Sequence, residues 1–412
     1  MAQTWLVNEQ KLRMARRADA AVRPLLPMLR LAFPPRRPSM RAPERILVSE
    51  LWHIGDVVLA MPFLAALRTL FPDARITLLG RAHARETLKH TGLVDDFVSF
   101  DFPWTFLDED RRPTIRELLK LPGVIRRLRL QKFDLAFDCS RDGRNNLVLF
   151  LSGSARRIGF AFGGGEFLLT DAVPVGSLNE HRTADWLRLL EPFEVEQRRG
   201  DFADARENGF DARLAVSDTE RRWAQDFLRE HGHSRGDVLI AVHAGGSSRL
   251  KRWPLSHFES LARTAATSDR ARILWIVDPA GTGADANLPV GSIVARPSLR
   301  ELIALLSESA LLVSNDGGPM HLAGALGIPT FAVYSWGNPE WWRPYSSARH
   351  SFVRREDISC RPCAGHCIFP EPICLTGLSY QTVADEFAAE LARLRKDEGL
   401  SLQVHSFQQS SR

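Results

Sequence analysis

The chain has 412 residues, 44% of them apolar and 25% charged, with five cysteines. That composition belongs to a folded protein of two to three domains, with two favoured. It excludes wholesale disorder, a collagen-like repeat and a disulfide scaffold. No uncharged apolar run approaches the roughly 20 residues that cross a bilayer. The N-terminus lacks the apolar core of an export signal, so the expected location is the cytoplasm.

The formal net charge of +5 is unevenly placed. Ten basic residues face three acidic ones within the first 45, leaving +7 there and about −2 on the remaining 367. The basic balance belongs to an N-terminal extension, and the body offers no basic face for nucleic acid. Residues 5–33 mix Leu, Val, Met, Trp and Phe with Arg, as in an amphipathic helix interrupted by Pro24 and Pro27. Residues 34–43 form a stiff, basic, Pro-rich linker. Such an extension, residues 1–41, suits an anionic membrane surface. The plainer alternative is a poorly ordered segment that covers part of the body.

From residue 44 the pattern alternates strand and helix. Strands are expected at 46–49, 74–80, 95–100 and 133–139, with helices running to about Leu70 and over 114–130. Pro62 stands either near the start of the first helix or at a kink in it. A second series begins with a helix at 217–231, opened by a Ser217–Glu220 capping box. Strands at 238–244, 272–278, 310–316 and 329–335 then alternate with helices at 256–267, 298–307 and 319–327. Short apolar runs separated by helices imply parallel sheets covered on both faces. The expected fold is α/β, two Rossmann-like domains facing a central cleft, with ligands at the carboxyl ends of the strands. The expected boundaries are an extension at 1–43, domains at 44–212 and 213–395, and a polar tail at 396–412. The connection is expected near 200–215.

Four segments bear chemistry. In SELWHIGDVVLAMP (49–62), Asp56 stands at a helix start after a strand. It is placed to take a proton from an attacking hydroxyl, or only to cap helix N–H groups. In HAGGSSRLKRWP (243–254), a Gly/Ser turn followed by Arg249, Lys251 and Arg252 suits a phosphate or diphosphate, or is a solvated basic loop. It lacks the spacing of a Walker A loop. In SNDGGPMHLAGALGIP (314–329), a strand ends at Asp316. Gly317 and Gly318 allow close approach to the backbone, and His321 lies in the helix that Pro319 helps to open. The alternative for His321 is a packing histidine. Cys360, Cys363, Cys367 and Cys374 fall close together, able to hold zinc or an iron–sulfur cluster or to remain thiols pinning a Pro-rich loop. Trp336, Trp341 and Trp342 floor a base or sugar, or pack between domains. No G-x-G-x-x-G follows a strand, which argues against a dehydrogenase.

Taken in order, these segments resemble glycosyltransferase family 9, the lipopolysaccharide heptosyltransferases. The resemblance rests on ILVSELWHIGDVVLAMPFLAALRTLFPDARITLL, FDLAFDCSRDGRNNLVLFLSGSARRIGF, VHAGGSSRLKRWPLSHF, SNDGGPMHLAGALGIPTFAVYSWGNPEWWRPY and the Cys segment, and spans about residues 44–390. It implies a GT-B fold and an inverting, metal-independent sugar transfer, with ADP-heptose as donor in the best-known members. No cofactor is implied; the nucleotide sugar is a substrate. Asp56 matches the general base on the acceptor hydroxyl. Lys251 matches a lysine on the donor phosphate; Asp316, Gly317, Gly318 and His321 match the donor-binding strand end and helix. Ser247 and Ser248 fall where small polar residues meet phosphate. Arg81, Arg141 and Arg144 are candidates for anionic groups of the acceptor, a lipid-linked saccharide reached at the inner face of the inner membrane. The segment VDPAGTGADANLP departs from the family pattern, which has a Gly-rich turn followed by Glu, so Asp278 and Asp285 remain alternatives for the ribose. The competing readings are an epimerase-like enzyme or a non-catalytic nucleotide-sugar-binding protein on the same fold.

Overall fold

The computed structural model describes residues 9–37, 41–102, 104, 115–176, 180–193, 210–267, 270–346, 348–360 and 367–397. The extension is α1 (Glu9–Val22), a tight turn at Arg23–Leu25 and α2 (Leu26–Ala32). Pro24 and Pro27 occupy first-turn positions, where a missing N–H breaks no helical bond. This unit packs on the body. Both carboxylate oxygens of Asp19 accept the Gly165 N–H, at 2.9 and 3.0 Å. Arg36 pairs with Asp134 at 2.9 Å, and Arg129 donates to the Pro34 carbonyl at 3.2 Å.

The first half then runs β1 (Arg45–Glu50), α3 (Ile54–Leu59), α4 (Met61–Leu70), β2 (Arg75–Gly80), α5 (Ala82–Leu88), β3 (Asp96–Ser99) and α6 (Ile115–Leu130). It closes with β4 (Leu135–Asp138), α7 (Gly143–Ser152), β5 (Arg156–Phe160), β6 (Asp171–Val173) and α8 (Arg182–Arg188). The second half is α9 (Asp218–Glu230), β7 (Val238–His243), α10 (Leu255–Ala265), β8 (Ala271–Ile276), β9 (Ile293–Ala295), α11 (Leu299–Ser307), β10 (Leu311–Asn315) and α12 (Gly318–Ala325). It ends with β11 (Thr330–Tyr334), α13 (Pro339–Trp342), β12 (His350–Arg354), α14 (Ile373–Thr376) and α15 (Tyr380–Asp397).

Two all-parallel sheets result, ordered β3-β2-β1-β4-β5-β6 and β12-β11-β10-β7-β8-β9. Both follow the same doubly wound order, and each reverses direction between its first and fourth strand, β1/β4 and β7/β10. The central strands are covered on both faces, which is why Ile46, Leu47 and Val48, or Leu311, Leu312 and Val313, form unbroken buried runs. The helix expected to reach Leu70 is two, because Pro62 lies in the first turn of α4 and the chain re-caps at Ala60. Most of the expected interdomain connection lies outside the described residues.

The halves are joined by a buried charge. Arg300 on α11 grips Glu220 on α9 through two bonds of 2.8 and 2.6 Å. It also donates to the Ala215 carbonyl and, across the cleft, to the Glu86 carbonyl of α5 at 3.1 Å. This guanidinium, bonding the carboxylate, holds Glu220 down at about 2. A depressed carboxyl contributes stability that is present above its unfolded value of about 4.3 and lost as pH falls from there through about 2. Arg300→Leu is expected to destabilise the protein by about 3 kcal/mol at neutral pH by stranding Glu220. The gap from wild type should narrow in acid. Thermal unfolding checks this, and equal melting temperatures at pH 7 would contradict it.

Candidate active site

The carboxyl ends of both sheets face one cleft of about 1480 Å³. Both switch points open into it. Glu50 at the end of β1 and Cys139 and Ser140 after β4 come from the first half; His243 at the end of β7, Asn315 at the end of β10 and Asp316 just after it come from the second.

On the first wall, β1 leads through Trp52 to an extended His53 and into α3, whose third residue is Asp56. Asp56 Oδ2 accepts the His53 backbone N–H at 3.0 Å, so the carboxylate does cap its helix. That bond occupies one of its two oxygens. Asp56 is half-buried and lines the cleft.

On the facing wall, the Gly245–Ser247 turn leads to a tight turn at Arg249–Lys251. Lys251 Nζ lies 3.1 Å from Asp316 Oδ2 and 5.1 Å from the centre of the Trp336 ring. Asp316 is 5% exposed at its side chain, against 21% for Lys251, so the carboxylate aims an ammonium that stays accessible. Asn315 fixes this arrangement. Its amide donates to the Ala244 and Gly245 carbonyls at 2.9 and 3.0 Å, and its Oδ1 accepts the Trp253 N–H at 3.0 Å. Ser247 lines the cleft; Ser248 does not, its hydroxyl being spent on the Leu250 N–H.

The two walls touch at the starts of α3 and α12. A Cβ on Gly55 would come within 2.6 Å of His321 Cδ2, and one on Gly318 within 3.2 Å of Ile54 Cβ. Both glycines line the cleft; Gly318 also serves the contact between halves, while a Cβ on Gly317 would meet nothing nearer than 3.9 Å. His321 also packs, as the plainer reading had it, yet it lines the cleft. Burial, with Lys251 nearby, pushes it down to about 3. Burial likewise lowers His53 and takes His83 and His243 down to about 4. These imidazoles are neutral near pH 7, so the site's charge resides on Lys251, its carboxylates and its arginines.

The three candidate arginines line the same cleft, each with an acidic partner. Arg81 meets Asp101 at 3.0 Å, Arg144 meets Asp142, and Arg141 meets Asp185. Asp185 also takes Arg182 at 2.6 Å, so two buried arginines share one carboxylate. Burial, then the charge of Arg182, pulls Arg141 down to about 9. Arg182, which the sequence did not single out, opens α8.

A sequence pattern for glycosyltransferase family 9 (heptosyltransferase) matches residues 123–371. The chain belongs to glycosyltransferase family 9. It is thus a glycosyltransferase, and its fold is GT-B. It is 23% identical over 325 residues to the lipopolysaccharide core heptosyltransferase OpsX of Haemophilus influenzae, an alignment spanning 74% of this chain and 83% of the relative. The crystal structure of a family 9 glycosyl transferase from Veillonella parvula superposes with a TM-score of 0.68 at 22% identity, covering 86% of this chain and 99% of that one. The ADP-heptose lipopolysaccharide heptosyltransferase II of Escherichia coli does so at 0.64 and 20%, covering 85% and 99%.

Further features of this family 9 chain follow from the same geometry. Asp278, after β8, lines the cleft and accepts the Thr282 N–H at 2.8 Å, whereas Asp285 is not among the lining residues. Trp336 and Trp342 line the cleft, the latter 5.2 Å from the Arg182 guanidinium; Trp341 does not. Cys360, Cys367 and Cys374 border a small pocket beneath Trp336, and Cys363 lies outside the described residues. Among the described residues no three His, Cys, Asp or Glu side chains are grouped to hold a metal. No described helix is long and apolar enough to cross a membrane.

Proposed function

We propose that this family 9 enzyme transfers heptose from ADP-heptose to a lipopolysaccharide core acceptor with inversion and without a metal ion. The observation that carries the reading is the opposition, across one cleft, of Asp56 on the first half and the Lys251–Asp316 pair with the start of α12 on the second. Asp56 takes the proton of the acceptor hydroxyl. The freed oxygen attacks the anomeric carbon of the donor sugar; that O–C bond forms as the bond from carbon to the diphosphate oxygen breaks. Negative charge then develops on the departing diphosphate, where Lys251 and the first N–H groups of α12 meet it. Ser247 and Gly317 border the diphosphate, and His321 holds the two walls at the right separation. Asp278 takes the ribose, and Arg81, Arg141 and Arg144 face anionic groups of the acceptor. ADP-heptose and the core acceptor are supported by the relatives' named activities.

The extension serves the inner face of the inner membrane. Met14, Leu25, Met28 and Leu31 are all at least half exposed on α1–α2, interspersed with Arg13, Arg16, Arg17, Arg23 and Arg30. Apolar side chains among cations fit an anionic lipid surface. Deleting residues 1–41 is expected to abolish cosedimentation with phosphatidylglycerol vesicles at low salt. Undiminished binding by the truncated protein would refute this role.

Thermal shift with ADP, UDP, GDP, TDP and NAD, with and without EDTA, tests the donor reading. A stabilisation by ADP that survives EDTA is expected. A shift with another nucleotide alone would overturn ADP-heptose as donor, and one that EDTA removes would overturn metal independence.

A further inference from the structure

Glu50 ends β1 and lines the cleft, six residues before Asp56 on α3. It is only 2% exposed. Its Oε1 accepts the Trp52 N–H at 3.1 Å, which fixes the side chain, while its buried Oε2 meets no hydrogen-bond partner among the described residues. Buried polar atoms in folded proteins are paired, so an orphan in a ligand cleft marks a place where a ligand completes the set. The groups around it are Asp56 on α3, Asp138 at the end of β4, Cys139 beside it, and Arg182 on α8. Arg182 gives Glu50 no salt bridge, being committed to Asp185 at 2.6 Å.

We propose that Glu50 is an acceptor-binding residue, its Oε2 hydrogen-bonding to a hydroxyl oxygen of the acceptor saccharide next to the one that Asp56 deprotonates. The assignment rests on the reading of Asp56 as the base. Burial, then the negative charge of Asp56, pushes the Glu50 carboxyl well above the usual carboxylate range, which favours the protonated form that can donate. Two carboxyls side by side thus divide the work. Asp56 receives a proton, and Glu50 orients the sugar that gives it. Below its raised value Glu50 donates; above it, Glu50 ionises, the donor is lost and the acceptor KM rises.

The test uses ADP-heptose with O-deacylated core lipopolysaccharide, following initial rates against pH. Glu50→Leu is expected to raise the acceptor KM at least tenfold while leaving the ADP-heptose KM unchanged. Glu50→Gln keeps a donor of the same shape. It should retain the wild-type acceptor KM and lose the rise that follows Glu50 ionisation. Melting temperatures of both variants check that they are folded. A wild-type acceptor KM in Glu50→Leu, or an unchanged pH profile in Glu50→Gln, would overturn the assignment. Asp56→Asn measured alongside separates the two claims. Activity there sinks the base reading itself, whereas an inactive Asp56→Asn with wild-type Glu50 variants removes only the role of Glu50. Absence of transfer by the wild-type enzyme would sink both.

Discussion

Replacing Asp56 with Asn is expected to lower the rate of transfer about a thousandfold while leaving ADP affinity unchanged. A positioned general base contributes roughly 10²- to 10⁴-fold. The Asn carbonyl still accepts the His53 N–H that Asp56 caps at 3.0 Å, so the start of α3 and its contact with α12 survive. Only the capacity to take a proton is lost. Ala would confound the two roles, since losing a cap costs about 1 kcal/mol. Donor affinity is a separate matter, because Lys251 and the start of α12 lie on the other wall. Single-turnover rates and ADP titration of Asp56→Asn read the two quantities independently. Near-wild-type turnover would remove Asp56 as base, and loss of ADP binding would make it a structural cap.

Replacing Lys251 with Met is expected to reduce kcat/KM by about a hundredfold or more and to weaken ADP binding as well. Met fills the space over Trp336 but carries no charge. The ammonium is lost where the diphosphate departs, and preorganised charge there is worth roughly 3–4 kcal/mol. Asp316 is left as a buried, uncompensated carboxylate facing the same anion. Arg at this position keeps the charge without the compact point geometry and should recover only part of the loss. Asp316→Asn isolates the remaining contribution, since Lys251 then loses its aim but not its charge. Wild-type kinetics in Lys251→Met would place the diphosphate elsewhere.

Much of this site was legible in the chain. The strands ending at Glu50, His243 and Asn315 are short apolar runs, the latter two flanked by Gly, Ser or Asp, as strands buried on both faces are. The Ser217–Glu220 capping box is present, with the Glu220 N–H on Ser217 at 3.3 Å. The same carboxylate's grip on Arg300 was not legible, because that pairing depends on how α9 and α11 pack. Short strands were missed where polar residues hide the pattern. β5 opens with Arg156 and Arg157, and Arg157 is buried by bonding the Leu168 and Ser154 carbonyls at 2.8 and 2.7 Å. Gly318 lines the cleft, and packing adds a second demand on it that the sequence does not show: room for Ile54 of the other half. Glu50 passed unnoticed because a carboxylate at a strand end ordinarily faces water. Its importance comes from its burial in the cleft, its unpartnered Oε2 and its approach to Asp56, which only the fold reveals.

The most direct test of the account is ADP release from ADP-heptose by the purified enzyme in EDTA, with and without O-deacylated core lipopolysaccharide, compared between wild type and Asp56→Asn. Acceptor-dependent release that EDTA leaves intact and Asp56→Asn lowers about a thousandfold is expected. Turnover that needs no acceptor, or that stays near the wild-type rate in Asp56→Asn, would contradict it.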